Sequence, residues 1–351
     1  MKKLFMGLMI ALTMGIAYML LTFPLNLSEA TSNQLVEQPP NSGITQLEEI
    51  PDSNKNTFDV YRYDTKSKQF SSLEEAINYA EDYTRAYIIQ DNQEEWIWDN
   101  FNPYIVYSED TYLKDFITFQ EAYEYAKNFQ SGIITYEDEY KRVWMRDYDK
   151  RGSSYMEVPK LNQYPELPRG CEVTSLAMLM NYNALNVTKM QLAEEIVKEP
   201  GLYWNDSLLY YGNPHQGFVG SMYSLSQFGF GVYHEPINQL VKAYAPADTL
   251  DFTGTSFEEI YFFLDHGMPV WVITNTLYKA LDDNYFKTWK TEEGDVTVTN
   301  KQHAVVVVGY DEEYIYINDP LNRRTAVKKE EFIAAWEQMG NQAITMKYIA
   351  G

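Results

Sequence analysis

The stretch HAVVVVGYDEEYIYINDP, residues 303–320, constrains the fold more than any other part of the chain. Ala304 to Val308 has no polar alternation, so it reads as a strand buried on both faces, which requires a covered sheet. Residues 303–308 and 314–319 pair across the five-residue connection GYDEE (309–313), forming a hairpin. Closing the pair at 308 and 314 sets 303 opposite 319. Directly opposed Cβ atoms lie about 4.5–5.5 Å apart, which lets Asp319 hold the His303 imidazole. Asn318 points to the other face unless the register slips by one. Read alone, NDP is also a turn motif.

From about 150 the chain reads as a single α+β domain, with helices first and an antiparallel sheet after. A helix opening at Cys171 carries an apolar stripe of Val173, Leu176, Ala177 and Met180. Another starts at Thr188 with Gln191 as capping-box partner. SFEEIYFFLDHG (256–267) is a helix closed by glycine, followed by the buried strand PVWVITN. KKEEFIAAWEQMG and a last strand complete the domain.

Cys171 is the sole cysteine. It precedes the apolar stripe, at the first helical turn after LPRG, where a helix N-terminus is expected to lower a thiol pKa. A thiol nucleophile needs a base, an orienter for that base and donors for the oxyanion. Of the four histidines, His215 sits in a Gly/Pro loop, His234 reads as a strand end and His266 as a helix C-terminus. His303 stands where a buried strand reaches the edge of the core, with Asp319 in register. Either Gln163 or Asn162 supplies a side-chain amide to pair with the Cys171 N–H as an oxyanion hole. Four scattered histidines and one cysteine have no metal-ligand spacing, so no metal or other cofactor is expected.

The first 30 residues read as a signal peptide or membrane anchor: Lys2 and Lys3 precede an uncharged run from Leu4 to Phe23. The paired lysines stay inside, which makes the rest extracytoplasmic, membrane-anchored or secreted. Residues 31–57 are polar and contain three prolines, the composition of a disordered stalk. Over 58–149 the chain repeats itself: VYRYD (60–64) recurs as VYSED (106–110), and FSSLEEAINYAEDY (70–83) as FITFQEAYEYAKNF (116–129). Each copy reads as strand, helix, strand, strand, with Ser72 and Thr118 as N-caps and Glu75 and Glu121 as their box partners. The tandem copies suit a spacer or a contact to cell wall or another surface partner. A net charge of −22 disfavours nucleic acid and bare anionic lipid as partners.

VPKLNQYPELPRGCEVTSLAMLM, GFVG (217–220) and HAVVVVGYDEEYIYINDP together resemble the exported bacterial peptidase-like family related to bacteriocin leader peptidases. These are cysteine peptidases of family thirty-nine type within the papain-like clan. The resemblance covers about 156 to 348 and does not reach the repeats. It implies a papain-like domain with Gln163 as oxyanion donor, Cys171 as nucleophile, His303 as base and Asp319 as orienter. The leader peptidases proper are fused to a transporter ATPase, and no G-x-x-x-x-G-K motif occurs here, so double-glycine specificity does not carry over. The expectation is an exported papain-like cysteine hydrolase acting on a peptide or protein substrate, by hydrolysis or by amide transfer. The alternative is a non-catalytic surface scaffold built from the same parts.

Overall fold

The computed structural model describes residues 56–346, apart from 63–64, 92, 94, 137 and 246–247. The expected signal or anchor segment and the stalk lie outside the described residues, Asn56 and Thr57 excepted. Among the described residues, no helix is long and apolar enough to cross a membrane.

The described residues form two units, divided between Phe101 and Asn102. Elements are numbered along the chain. In the first unit β1 (Phe58–Arg62), β2 (Thr65–Phe70), α1 (Leu73–Ala80), β3 (Ala86–Gln90) and β4 (Trp96–Asp99) form a sheet of order β2-β1-β3-β4. Val60, Ala76, Ala80 and Ile88 are its core. The second unit starts with the same succession: β5 (Tyr104–Ser108), β6 (Thr111–Phe116), α2 (Phe119–Ala126), β7 (Gly132–Tyr136) and β8 (Asp138–Met145), ordered β6-β5-β7-β8. Each succession has two strands before its helix where the sequence suggests one. The extra strand lies at the sheet edge, and β2 is exposed along nearly its whole length, so no buried alternation betrays it. Thr118 and Glu121 close a capping box on α2, whereas Ser72 makes no cap bond.

The second sheet shares a core with the helix Phe257–Asp265. The Phe119 ring lies 6.3 Å from that of Phe263, and the Trp144 indole donates to the Glu259 carboxylate. Packing therefore divides the chain near 101, not near 150 where its texture changes.

Beyond β9 (Ser154–Tyr155) come α3 (Cys171–Tyr182), α4 (Lys189–Glu195), β10 (Lys198–Glu199), a hairpin of β11 (Leu202–Asn205) and β12 (Leu208–Tyr211), and β13 (Phe218–Val219). Next are α5 (His234–Tyr244), β14 (Thr249–Asp251), α6 (Phe257–Asp265), β15 (Val270–Asn275) and a second hairpin, β16 (Phe286–Thr291) with β17 (Gly294–Thr299). The chain closes with β18 (Gln302–Tyr310), β19 (Tyr314–Asn318), β20 (Ala326–Lys328), α7 (Lys329–Gln338) and β21 (Ala343–Met346). The main sheet runs β14-β21-β15-β18-β19-β20, with β9 added to β18, and its pairings are antiparallel. Helix α3 crosses β18, where the Ser175 hydroxyl donates to the Ala304 carbonyl at 3.1 Å. Cys171 to Met180 are all buried, so α3 is an interior helix rather than a one-sided amphipathic one.

His234 opens α5 and does not end a strand. Its Nδ1 meets Asp251 at 2.7 Å and its Nε2 meets Glu235 at 3.2 Å. Burial would lower its pKa, but the two carboxylates outweigh burial and hold it at about 9. The imidazolium thus stabilises the fold fully below its unfolded pKa of about 6.5, and that contribution disappears as pH rises through about 9. Thermal unfolding measured across this window should show a loss on the order of 3 kcal/mol at most. Asp251→Asn should flatten the profile.

The β18–β19 ladder pairs Val306 with Asn318 and Val307 with Ile317, then shifts at Gly309, which pairs with Tyr316. His303 is therefore not directly opposite Asp319, as a five-residue connection would have it. The strands stay paired out to Asp311 and Tyr314, which moves the register by three, and the bulge takes back one, so the ladder is offset by two residues. An even offset keeps both side chains on one face as diagonal neighbours, about 7–8 Å apart at the backbone and within reach of long side chains. The bulge falls where β9 approaches closely. A Cβ at Gly309 would lie 2.3 Å from the Ser154 carbonyl oxygen and 2.8 Å from the Tyr155 Cα. Gly309→Ala should cost about 1–3 kcal/mol in a denaturant titration as β9 is pushed from the sheet.

Candidate active site

Asp319 follows the end of β19 in a turn closed by its own carbonyl, which accepts from the Asn322 N–H at 2.9 Å. Its Oδ1 accepts from His303 Nε2 at 2.8 Å and from the Leu321 N–H at 2.8 Å, and its Oδ2 accepts from the Arg323 N–H at 3.2 Å. The two readings of NDP, turn and orienter, are the same object: the turn amides aim the carboxylate at the imidazole. Burial raises the Asp319 pKa, yet His303 and these donors outweigh it and keep the group below its ordinary value. His303 is 2 % exposed and sits across from Thr274 of β15. With Nε2 committed to Asp319, Nδ1 is the nitrogen left to accept a proton.

Cys171 is the first residue of α3, 8 % exposed, after a turn in which the Gly170 N–H donates to the Leu167 carbonyl at 2.9 Å. The Ala304 amide, one residue beyond His303, faces the sulfur. The thiol itself donates to Glu172 Oε2 at 3.3 Å. Burial first, and then the Glu172 charge, push the thiol pKa well above its usual value; the Ala304 and Cys171 amides pull the other way and are outweighed. This reverses the expectation that the helix N-terminus would lower it. The partial charge of a helix end acts here against desolvation and a full charge in contact with the sulfur.

Gln163 and Asn162, equivalent in the sequence, separate in the structure. Asn162 is exposed and caps its own turn, accepting from the Tyr164 N–H at 2.8 Å. Gln163 is 2 % exposed, and its N–H donates to the Pro320 carbonyl at 2.9 Å, joining this turn to the Asp319 turn. Its Nε2 donates to the carbonyls of Leu167 (3.2 Å) and Pro168 (2.9 Å), while Oε1 is buried without a partner. An oxyanion role requires Nε2 to leave those carbonyls.

Three further residues, Tyr278, Glu172 and Gln302, surround the set. Tyr278, in the turn after β15, holds a positive φ of 55° and lies edge-on to His303, with ring centroids 6.1 Å apart. Its hydroxyl is buried without a hydrogen bond of good geometry. Burial, reinforced by the Asp319 and Cys171 charges, raises its pKa. Glu172 is fully buried, and its Oε1 accepts from the Val232 N–H (3.1 Å) and from Gln302 Nε2 (2.9 Å). Sequence reasoning missed all three. Tyr278 is one of thirty tyrosines, and an acid in the first turn of a helix reads as an ordinary partner of the helix dipole. Among the described residues, no group of three or more His, Cys, Asp and Glu side chains is arranged to hold a metal ion.

Residues 155–344 match the Peptidase_C39 like family. The chain belongs to that family. This C39-like chain is 44 % identical over 186 residues to YvpB of Bacillus subtilis (strain 168), an uncharacterised protein, across 52 % of its own length and 71 % of YvpB. It is 46 % identical to a crystal structure from Bacillus anthracis provisionally designated a C39-like peptidase. That likeness has a TM-score of 0.54 and covers 57 % of this chain and 100 % of the other. The C39-like region of the chain thus has a mixed helix and sheet fold shared with a solved relative.

Proposed function

We propose that the chain is an exported papain-like cysteine peptidase that cleaves a peptide or protein through an acyl-enzyme on Cys171. The observation that carries this reading is the buried His303–Asp319 pair at 2.8 Å, on the strand whose next amide faces the sulfur. In the reaction, His303 Nδ1 takes the thiol proton and Sγ attacks the scissile carbonyl carbon. The C–N bond breaks as His303 returns that proton to the leaving amine, giving a thioester. Water, deprotonated by the same nitrogen, then hydrolyses the thioester; an amine in its place gives transfer. Asp319 fixes the tautomer and steadies the imidazolium. The Cys171 N–H, unpaired within the helix at its first position, and the Gln163 amide stabilise the oxyanion. Export rests on the N-terminal paired lysines and apolar run, and the stretch 58–149 serves as spacer or as contact to a surface partner.

A peptide-library cleavage profile tests this. Wild type should yield a reproducible set of new termini and Cys171→Ala none. A wild type as silent as the variant would support the second reading, a surface scaffold. The thiol bond to Glu172, which disfavours thiolate, is the observation on that side.

A further inference from the structure

Glu172 carries no role in acyl transfer as written, yet it touches both the nucleophile and the strand that bears the base. Oε2 holds the Cys171 thiol, Oε1 holds Gln302, the residue before His303, and also the Val232 amide. Its backbone carbonyl accepts from the Trp271 indole at 3.0 Å. The carboxyl is wrapped so tightly that a Cβ at Gly231 would come within 2.2 Å of Oε1. A fully buried carboxylate is costly through desolvation, and in contact with a nucleophile it also disfavours the very anion that the reaction requires.

We propose that Glu172 is a positioning residue that gates the nucleophile: its carboxylate clamps Cys171 as a thiol, and thiolate forms once that carboxyl is neutral. The inference rests on the peptidase reading. The step balances with one solvent proton. Glu172 binds it and turns from acceptor to donor toward the sulfur, while the thiol proton passes to His303 Nδ1. The site then holds a neutral acid, a thiolate and an imidazolium. The titratable groups around Glu172 are Cys171 on its own helix, Tyr233 beside Val232, and His303 beside Gln302; the other contacts are neutral donors. Tyr233 is buried, which raises its pKa with the Glu172 charge adding to the effect, so it stays protonated. Burial raises the Glu172 pKa to about 7, which puts the gate near neutrality.

The test is the rate of iodoacetamide alkylation of Cys171 in the full chain between about pH 5 and about 9, read by mass spectrometry beside thermal unfolding. Wild-type alkylation should fall as pH rises through about 7, opposite to an ordinary thiol. Glu172→Gln keeps an acceptor for Val232 and Gln302 and is always neutral. It should lose this fall and label about tenfold faster than wild type near pH 8. Gln302→Ala removes a donor that favours the carboxylate, so the fall should move to higher pH. This second variant tests the gate even if Glu172→Gln folds poorly. A wild type that cleaves peptides while its alkylation rises monotonically, unaltered in either variant, overturns the gate and leaves the peptidase intact. A thiol that labels only after unfolding, in wild type and variants alike, overturns both.

Discussion

His303→Gln is expected to lower kcat/KM for a cleavable peptide by roughly 10⁴-fold or more, with the fold retained. Glutamine can still donate a hydrogen bond toward Asp319, so the buried carboxylate is not stranded, but it has no basic nitrogen to take the thiol proton. Alanine at this position would mix two effects, because it leaves Asp319 buried with only the Leu321 and Arg323 amides. Steady-state kinetics beside a thermal melt separates chemistry from folding. A glutamine variant within about tenfold of wild type would remove His303 from the reaction.

Asp319→Ala should cost roughly 10³–10⁴-fold in kcat/KM, because the imidazole then loses both its orienter and its counter-charge. Asp319→Asn should be distinctly milder. Oδ1 is the busy oxygen, accepting from both His303 and Leu321, while Oδ2 receives only the longer 3.2 Å contact from Arg323. An asparagine that presents its carbonyl at the Oδ1 position keeps Nε2 as the protonated nitrogen and forfeits the charge that steadies the imidazolium together with the long Arg323 contact. The order wild type, Asn, Ala in kcat at similar KM is the expected result. Equal losses for Asn and Ala would mean that charge, not tautomer control, is what Asp319 supplies.

The meeting of His303 and Asp319 was legible because side chains alternate along a strand, and parity survived an error in register. The error itself was not legible. GYDEE gives no sign that the strands stay paired as far as Asp311 and Tyr314, nor that residues 154 and 155, from about 150 positions away, lie against a bulge at Gly309. The place of Cys171 at a helix start could be read from LPRGC, but its electrostatics could not. Whether Glu172 faces water or sulfur depends on how α3 is packed, and an interior helix with polar residues in its first turn resembles a surface one. The apolar stripe in α3 was real yet understated, since Thr174 and Ser175 are buried as well. Edge strands such as β2, polar on both faces, are poorly distinguished from loops by hydrophobic pattern. The change of texture near 150 misled about packing because a shared core needs only a few aromatics, here Phe119 and Trp144.

The two-residue stagger between β18 and β19 also governs which length changes this hairpin can absorb over evolutionary time. Extra codons at its tip, 311–313, lengthen a solvent loop and leave the chemistry alone. One added or lost residue between Tyr314 and Asp319 would invert every downstream side chain and turn the carboxylate away from its histidine. Lineages that vary this segment should therefore do so in pairs, or pair a single insertion with a second irregularity that restores the count.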